Sequence, residues 1–239
     1  MIRIRRADSR GRFRNGWLDA RFSFSFGSYR DANYDGYADL LVLNDDQVEP
    51  GGGFAEHGHR DVEVMSYPLV GAIEHRDSLG NVAIMRPGDV HLMRAGTGIR
   101  HSEMNASATE PERHLQWWIA PAQPGLRPGY QRIHVPVAEK RNRLRLIGSP
   151  DGADGSLAVA QDVRVYAAIL DPGPLLYRPP AGRRSFLHVA RGAVELNGER
   201  LDSGDELFAE DEHVITLQSV PGQTGEVLLF DLRGTEARP

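Results

Sequence analysis

The sequence predicts an all-β protein built from two similar halves, and three observations carry that prediction. Short apolar stretches rich in β-branched residues recur between clusters of Gly, Pro, Asn and Asp, while helical periodicity is scarce. A proline- and glycine-rich stretch, "APAQPGLRPGYQ" at 120–131, separates an earlier set of such stretches from a later one. Segments on its two sides also resemble each other: "YPLVGAIEHRD" (67–77) resembles "HVARGAVELNG" (188–198), and "MRPGDVHLM" (85–93) resembles "LDSGDELFA" (201–209).

In chain order, the first half gives strands at 38–44, 61–71, 71–77, 89–96 and 114–121, and the second at 163–170, 184–192, 192–198, 213–219 and 225–232. Asn197-Gly198, between "AVEL" and "ERLD", favours the positive φ values of a tight two-residue hairpin. Regularly spaced short strands imply a sandwich or a barrel. The expected division is a first domain over 1–122, a linker over 123–133 and a second domain over 134–239.

Composition narrows the function. No run approaches the ~18 apolar residues of a membrane helix. No apolar segment follows the basic start "MIRIRRADSR", so no secretory signal is read and a cytoplasmic location is expected. With no cysteine, disulfides, thiolate metal sites and cysteine nucleophiles are excluded together. A net charge of −5 argues against an electrostatic nucleic-acid binder. No Gly-x-Ser-x-Gly elbow, phosphate loop or dinucleotide fingerprint is present.

The chemistry-bearing residues sit in "EHGHRDVE" (56–63) and "IRHSEMN" (99–105). Side chains two apart on a strand share a face, so His57 converges with His59, and His101 with Glu103. On neighbouring strands of a small barrel, the two pairs would bring three imidazoles and a carboxylate to one cavity. Nitrogen and oxygen donors without thiolate suit Fe, Mn, Ni, Cu or Zn, and the related two-His-one-carboxylate set marks non-haem Fe(II) oxygenases. A single His-x-His is weak by itself; two such pairs behind glycine-rich turns, Gly51–Gly53 and Gly96 with Gly98, carry the inference. Glu63, four residues past His59, is permitted by parity as a ligand too.

Other candidates read more plainly. His75 and His91 are expected to be hydrogen-bonded or exposed strand histidines. His188 and His213 are expected to be ordinary strand residues. His114, Gln116 and Trp118 share one strand face, and an aromatic there most often fills a core. Phe54 and Arg60, flanking the first histidine pair, are candidates for the cavity mouth. Carrying His57 and His59 across the repeat lands on Arg178 and Pro180, and carrying His101 and Glu103 lands on Leu217 and Ser219, so the second domain is expected to lack metal ligands.

At these residues the sequence resembles the cupin superfamily. Gly51, His57, His59, Glu63 and Gly71 match the first cupin motif with one extra residue in the last interval, and Gly98, His101 and Asn105 match the second, with Gly96 where many cupins have proline. More narrowly, "RFSFSFGSY", "HGHRDVEV", "DSLGN" and "AGTGIRHSE" resemble the pirin family, over nearly the whole chain and most strongly over 16–120. The resemblance implies a bicupin, two tandem β-barrels of the double-stranded β-helix or jelly-roll type. It also implies His57, His59, His101 and Glu103 as ligands of one divalent metal, Fe(II) first and Mn, Ni, Cu, Co or Zn as alternatives. Glu63 is then left beside the core. The activity implied is cleavage of a flavonol such as quercetin by O₂ with release of carbon monoxide, Glu103 accepting the hydroxyl proton. A monomer is expected. The alternatives are a metal-containing regulator acting through a protein partner and, more remotely, a cupin isomerase or an acid-stress scaffold.

Overall fold

Alternating and β-branched segments carry most of the chain into strands, and the computed structural model describes residues 1–212 and 214–234. The chain divides into two units. One comprises Gly11–His134 with Val159–Gln161; the other comprises Met1–Arg10, Val135–Ala158 and the chain from Asp162 onward.

In the first unit a seven-stranded sheet runs in the order Gly129–His134, Asp89–Arg94, Glu63–Val70, Glu112–Ile119, Leu40–Val48, Leu18–Phe22, Gly11–Arg14. A four-stranded sheet runs in the order Gly53–His59, Ile99–Asn105, Ile73–Asp77, Val82–Met85. Both faces of Glu112–Ile119 are occupied: Leu115, Trp117 and Ile119 are wholly buried on one, and His114 and Gln116 are buried on the other. Pro68 has no N–H to give the ladder, and the pairing of Glu63–Val70 with Glu112–Ile119 slips a register there, between Arg113 and His114.

The second unit repeats this order. Its seven-stranded sheet is Ile2–Arg5, Glu206–Glu210, Arg184–Arg191, Gly225–Leu232, Arg164–Leu170, Arg145–Ser149, Leu157–Ala158, and its four-stranded sheet is Leu175–Tyr177, Ile215–Ser219, Ala193–Leu196, Glu199–Asp202. The duplication read from the Gly-Ala and Gly-Asp pairs therefore extends to the topology. Gly71 and Gly192 occupy equivalent bends with φ of 69° and 65°, a left-handed backbone that a Cβ disfavours. The Asn197-Gly198 hairpin has φ of 48° and 84°, as its dipeptide requires.

Three stretches fall differently from the expected division. Within the expected linker, Gly129–His134 is an edge strand paired with Asp89–Arg94, because "GYQRIH" keeps its backbone free of proline and ladders once the proline cluster ends. Residues 1–10 belong to the second unit, where Ile2 pairs with Ala209 and Arg5 with Glu206. Val159–Gln161 belongs to the first unit, where the Ala160 amide donates to Glu63 Oε2 at 2.6 Å and the Ala122 amide to the Ala160 carbonyl at 2.7 Å. His213 lies outside the described residues. Among those described, no helix is long and apolar enough to cross a membrane.

Candidate metal centre

Strand parity and one bulge assemble the centre. Gly53–His59 pairs antiparallel with Ile99–Asn105, His57 opposite His101 and His59 opposite Ile99. Between His101 and Glu103 the register slips, so that Glu103 faces Phe54; a bulge of this kind re-aims side chains beside functional sites. Gly53 permits the close approach, since a Cβ there would lie 2.5 Å from the Glu103 carbonyl oxygen. The ladder delivers both i,i+2 pairs to one place, as their spacing predicts.

The three imidazoles meet through Nε2. His59 Nε2 lies 3.0 Å from His101 Nε2, which lies 3.1 Å from His57 Nε2. His57 Nδ1 is 2.8 Å from the Ala55 carbonyl, an acceptor, so Nδ1 carries the proton and Nε2 presents a lone pair. Adjacent donors around a metal at ~2.1 Å lie about 3.0 Å apart at a right angle, so the observed separations fit an ion at their centre. Burial and the neighbouring His57 push His59 down to about 4 despite Glu103, and burial again pushes His101 down to about 4. Both imidazoles are thus neutral near pH 7, the form that ligates metal.

Glu103 lies beside this cluster, its carboxylate grouped with His101 and His75 and lining the same cavity as His57 and His59. It is buried, its Oε1 accepts from Ser66 Oγ at 3.2 Å, and its Oε2 accepts from Gln116 Nε2 at 2.6 Å. Burial opposes its ionisation, but the surrounding imidazoles, His101 first, hold it down to about 2. Among those imidazoles His114 is the cationic one: burial works against its charge, yet Glu112, 3.0 Å from Nδ1 through both oxygens, and Asp46 raise it to about 10. A carboxylate so stabilised is a good ligand and a weak proton acceptor.

His75 and His91 are not exposed. Both are wholly buried, His75 with its ring 5.4 Å from that of His101 and Nε2 3.1 Å from Asp77 Oδ2, and His91 with Nε2 3.7 Å from Glu103 Oε1. His75, His101 and Glu103 form a second close grouping of donor atoms, overlapping the His57, His59, His101 grouping. Glu63 lies elsewhere: it accepts from Arg94 Nε at 2.7 Å and from the Ala160 amide. Phe54 lines the cavity, packed edge-on against Trp17 with ring centroids 5.3 Å apart. Arg60 does not: one position past His59 and beyond the end of its strand, it is exposed and absent from the cavity wall.

The cavity itself holds about 690 Å³, inside the range of small-molecule sites. Phe22, Phe26, Trp17 and Trp118 give it aromatic walls, with His57, His59 and Glu103 at its polar end. Trp118 stands edge-on to His59 at 5.0 Å and donates through Nε1 to Gln116 Oε1, so the face His114, Gln116 and Trp118 belongs to the site rather than to a sealed core. The walls from Phe13 to Gly27 were not singled out by sequence reasoning, although "RFSFSF" alternates aromatic and polar residues in strand period.

Two tandem jelly-roll units, one holding a nitrogen and oxygen donor cluster, define a bicupin metalloprotein. The chain belongs to the pirin family: residues 3–119 match the Pirin profile, and residues 146–232 match the profile described as the quercetinase C-terminal cupin domain. It is 41% identical over 233 residues to the quercetin 2,3-dioxygenase of Escherichia coli K12, covering 97% of this chain and 99% of that one. The pirin-like protein of Caulobacter vibrioides is 38% identical over 236 residues, with coverage of 97% and 99%. Among solved structures, YhhW of Escherichia coli superposes with a TM-score of 0.93 at 39% identity over the whole of both chains. A complex of bacterial pirin YhhW with nickel(II) gives 0.91 at 40% identity, covering 98% of this chain and 100% of that one.

Proposed function

We infer that this protein is a metal-dependent dioxygenase that cleaves a flavonol such as quercetin with O₂ and releases carbon monoxide. The observation that carries the reading is the convergence of three imidazole Nε2 atoms, 3.0 and 3.1 Å apart, at the polar end of an aromatic-walled cavity. The full-length relative named quercetin 2,3-dioxygenase supports the substrate class. His57, His59, His101 and Glu103 would hold one divalent cation. Iron(II) stands first, and nickel(II), bound in the YhhW complex, stands next. Bound there, the metal supplies Lewis acidity that lowers the pKa of a coordinated substrate hydroxyl.

The chain's own residues do the rest. Phe22, Phe26 and Trp118 present flat apolar surface to a planar ring system and exclude water from it. Gln116 and Ser66 fix both Glu103 oxygens, which orients the carboxylate before any ligand arrives. His57 is held in one tautomer by the Ala55 carbonyl.

The test loads purified protein with iron(II), adds quercetin in air, and follows loss of flavonol absorbance together with carbon monoxide. Turnover is expected, and His101→Ala is expected to abolish it. Turnover that survives His101→Ala removes this cluster as the reacting site, and absence of turnover with each of Fe, Mn, Ni, Cu and Co overturns the reading in favour of a metal-containing regulator acting through a protein partner.

A further inference from the structure

Strand Glu112–Ile119 lies between Glu63–Val70 and Leu40–Val48 in the seven-stranded sheet, so its residues are held on both flanks. Alternation puts Gln116 and Trp118 together on the cavity side, and the pairing with Leu40–Val48 slips directly beside them, between Trp118 and Ile119. Gln116 stands opposite Ser66. Glu103 comes from the other, four-stranded sheet, which also carries His57, His59 and His101.

Both hydrogens of the Gln116 amide are committed between the two sheets. Nε2 donates to Glu103 Oε2 at 2.6 Å and to Ser66 Oγ at 3.3 Å, while Oε1 accepts from Trp118 Nε1 at 3.1 Å. Ser66 Oγ gives its own hydrogen to Glu103 Oε1 at 3.2 Å. An indole N–H only donates and an ionised carboxylate only accepts, so the group between them must accept at one end and donate at the other. A primary amide of this reach does so. Asn is one methylene shorter, ionised Glu turns an acceptor to each partner, and Met satisfies neither.

Trp118 is half-buried on the cavity wall, and its ring stands edge-on to Phe26 at 5.4 Å and to His59 at 5.0 Å. An aromatic ligand in the cavity therefore meets an indole whose N–H is tied, through one amide, to the carboxylate beside the histidine cluster. We propose that Gln116 is a positioning residue that couples the aromatic wall to the metal centre, holding Trp118 and Glu103 in one frame so that a displacement of either is felt by the other. The proposal rests on the reading of Glu103 as a metal ligand, and on no particular flavonol.

A double-mutant cycle on the cobalt(II)-loaded protein tests this, read by competition with a chelator and by the visible absorption of the bound ion, which reports the geometry of its ligands. Trp118→Phe keeps an aromatic ring and removes the N–H; Gln116→Met keeps the length and removes both polar ends. Gln116→Met is expected to weaken cobalt(II) binding roughly 10- to 100-fold and Trp118→Phe roughly 3- to 10-fold, each moving the absorption bands. On the Gln116→Met background, Trp118→Phe is expected to add less than about twofold, with no further movement of the bands. Should Gln116→Met fail to fold, Gln116→Asn, too short to span both partners, is expected to give the same collapse. Losses that multiply in the double variant would place the Trp118 effect on its packing against His59, and would overturn the coupling while leaving the metal centre and the dioxygenase reading intact. Bands unmoved in both single variants would mean that Gln116 only supports the fold, and would overturn it as well. A wild type that binds no cobalt(II) removes the metal centre and the coupling together. A coupled cycle without flavonol turnover keeps the coupling and removes the dioxygenase reading.

Discussion

In the metal-centre unit His101 stands opposite His57 and Ile99 opposite His59; in the other unit the equivalent ladder sets Leu217 opposite Leu175 and Ile215 opposite Tyr177. The frames are the same, and the fillings are opposite. Around Leu217 the second interior closes into a continuous aliphatic cluster with Leu187, Val189, Leu196 and Leu229, all at 0–1% exposure. Around His101 the first interior holds further buried titratable side chains, among them His75, His91, Glu103, His114, Glu112 and Asp46, beside an open cavity. Apolar filling stabilises a fold and polar filling costs it. The first interior therefore gives up stability that the second retains, and a site is what it gains.

The largest effect expected from this contrast is a reciprocal pair of substitutions. His101→Leu gives the first unit the second unit's residue: metal content by elemental analysis is expected to fall from about one ion per chain to background, while the melting temperature of the metal-free protein holds or rises, because a buried polar group has been replaced by an apolar one. Leu217→Ala should do the opposite, costing about 2–5 kcal/mol of stability with metal content unchanged. A His101→Leu protein that keeps its ion would break the contrast at its centre.

The contrast also shows what a sequence exposes. The histidine pairs were legible because strand parity is local: two residues apart always means one face. Equally local are the glycines that open equivalent bends, Gly71 and Gly192, and the Asn197-Gly198 turn. Pairing across the chain is not local, so nothing around Ile2 announces its partner Ala209. The half-exposed strand Gly129–His134, following three prolines, passes for linker. Carrying the first histidine pair over by a fixed offset landed on Arg178 and Pro180, three residues beyond Leu175 and Tyr177, because the bends between equivalent strands differ in length. His75 is hydrogen-bonded to Asp77, as expected, but His91, buried and with neither ring nitrogen hydrogen-bonded, fails for a different reason: an isolated strand histidine gives no sign of whether its face is dry. In the same way the strand read at 38–44 stops short of Asp46, because the following Asp45-Asp46 carries no apolar signal although the strand continues through it to Val48.

Acid should act on the two units in sequence. His59, His101 and His91 are pushed down by burial to about 4, 4 and 3. Groups depressed in this way contribute stability that is present above their unfolded value near 6.5 and is lost as pH falls through the folded values. Asp46, raised to about 7, works the other way, gaining stability as pH falls towards 3.8, and His114, raised to about 10, is already protonated throughout this window. Glu63, also raised by burial, sides with Asp46, and the three histidines outweigh the two carboxyls to leave a net loss. The metal-free protein is expected to lose more than about 5 °C of melting temperature between pH 6.5 and 4, with amide protection falling in Gly53–His59 and Ile99–Asn105 before Ile215–Ser219. Hydrogen exchange that opens the last of these strands first would contradict the assignment of acid sensitivity to the histidine-filled interior.

The smallest effects belong to the equivalent hairpins. Ala193–Leu196 and Glu199–Asp202 are joined by Asn197-Gly198, with Asn197 at φ 48° and its Oδ1 accepting from the Thr216 amide at 2.8 Å. Ile73–Asp77 and Val82–Met85 are joined by a longer loop gathered on Asp77, whose Oδ1 accepts from the Leu79 and Asn81 amides at 2.9 and 3.0 Å while Oδ2 faces His75 Nε2. Asn197→Ala loses one hydrogen bond and the asparagine preference for left-handed backbone, about 1–2 kcal/mol together, with no change in metal affinity. Asp77→Ala loses the loop and also the anchor of a histidine packed against His101, so it should weaken metal binding by competition titration as well as lower stability. Asp77→Asn, which keeps the loop acceptor Oδ1 but not the charge facing His75, separates the two. If it restores stability without restoring affinity, the hairpin of the first unit has been drawn into orienting the ligands, a task its counterpart does not have.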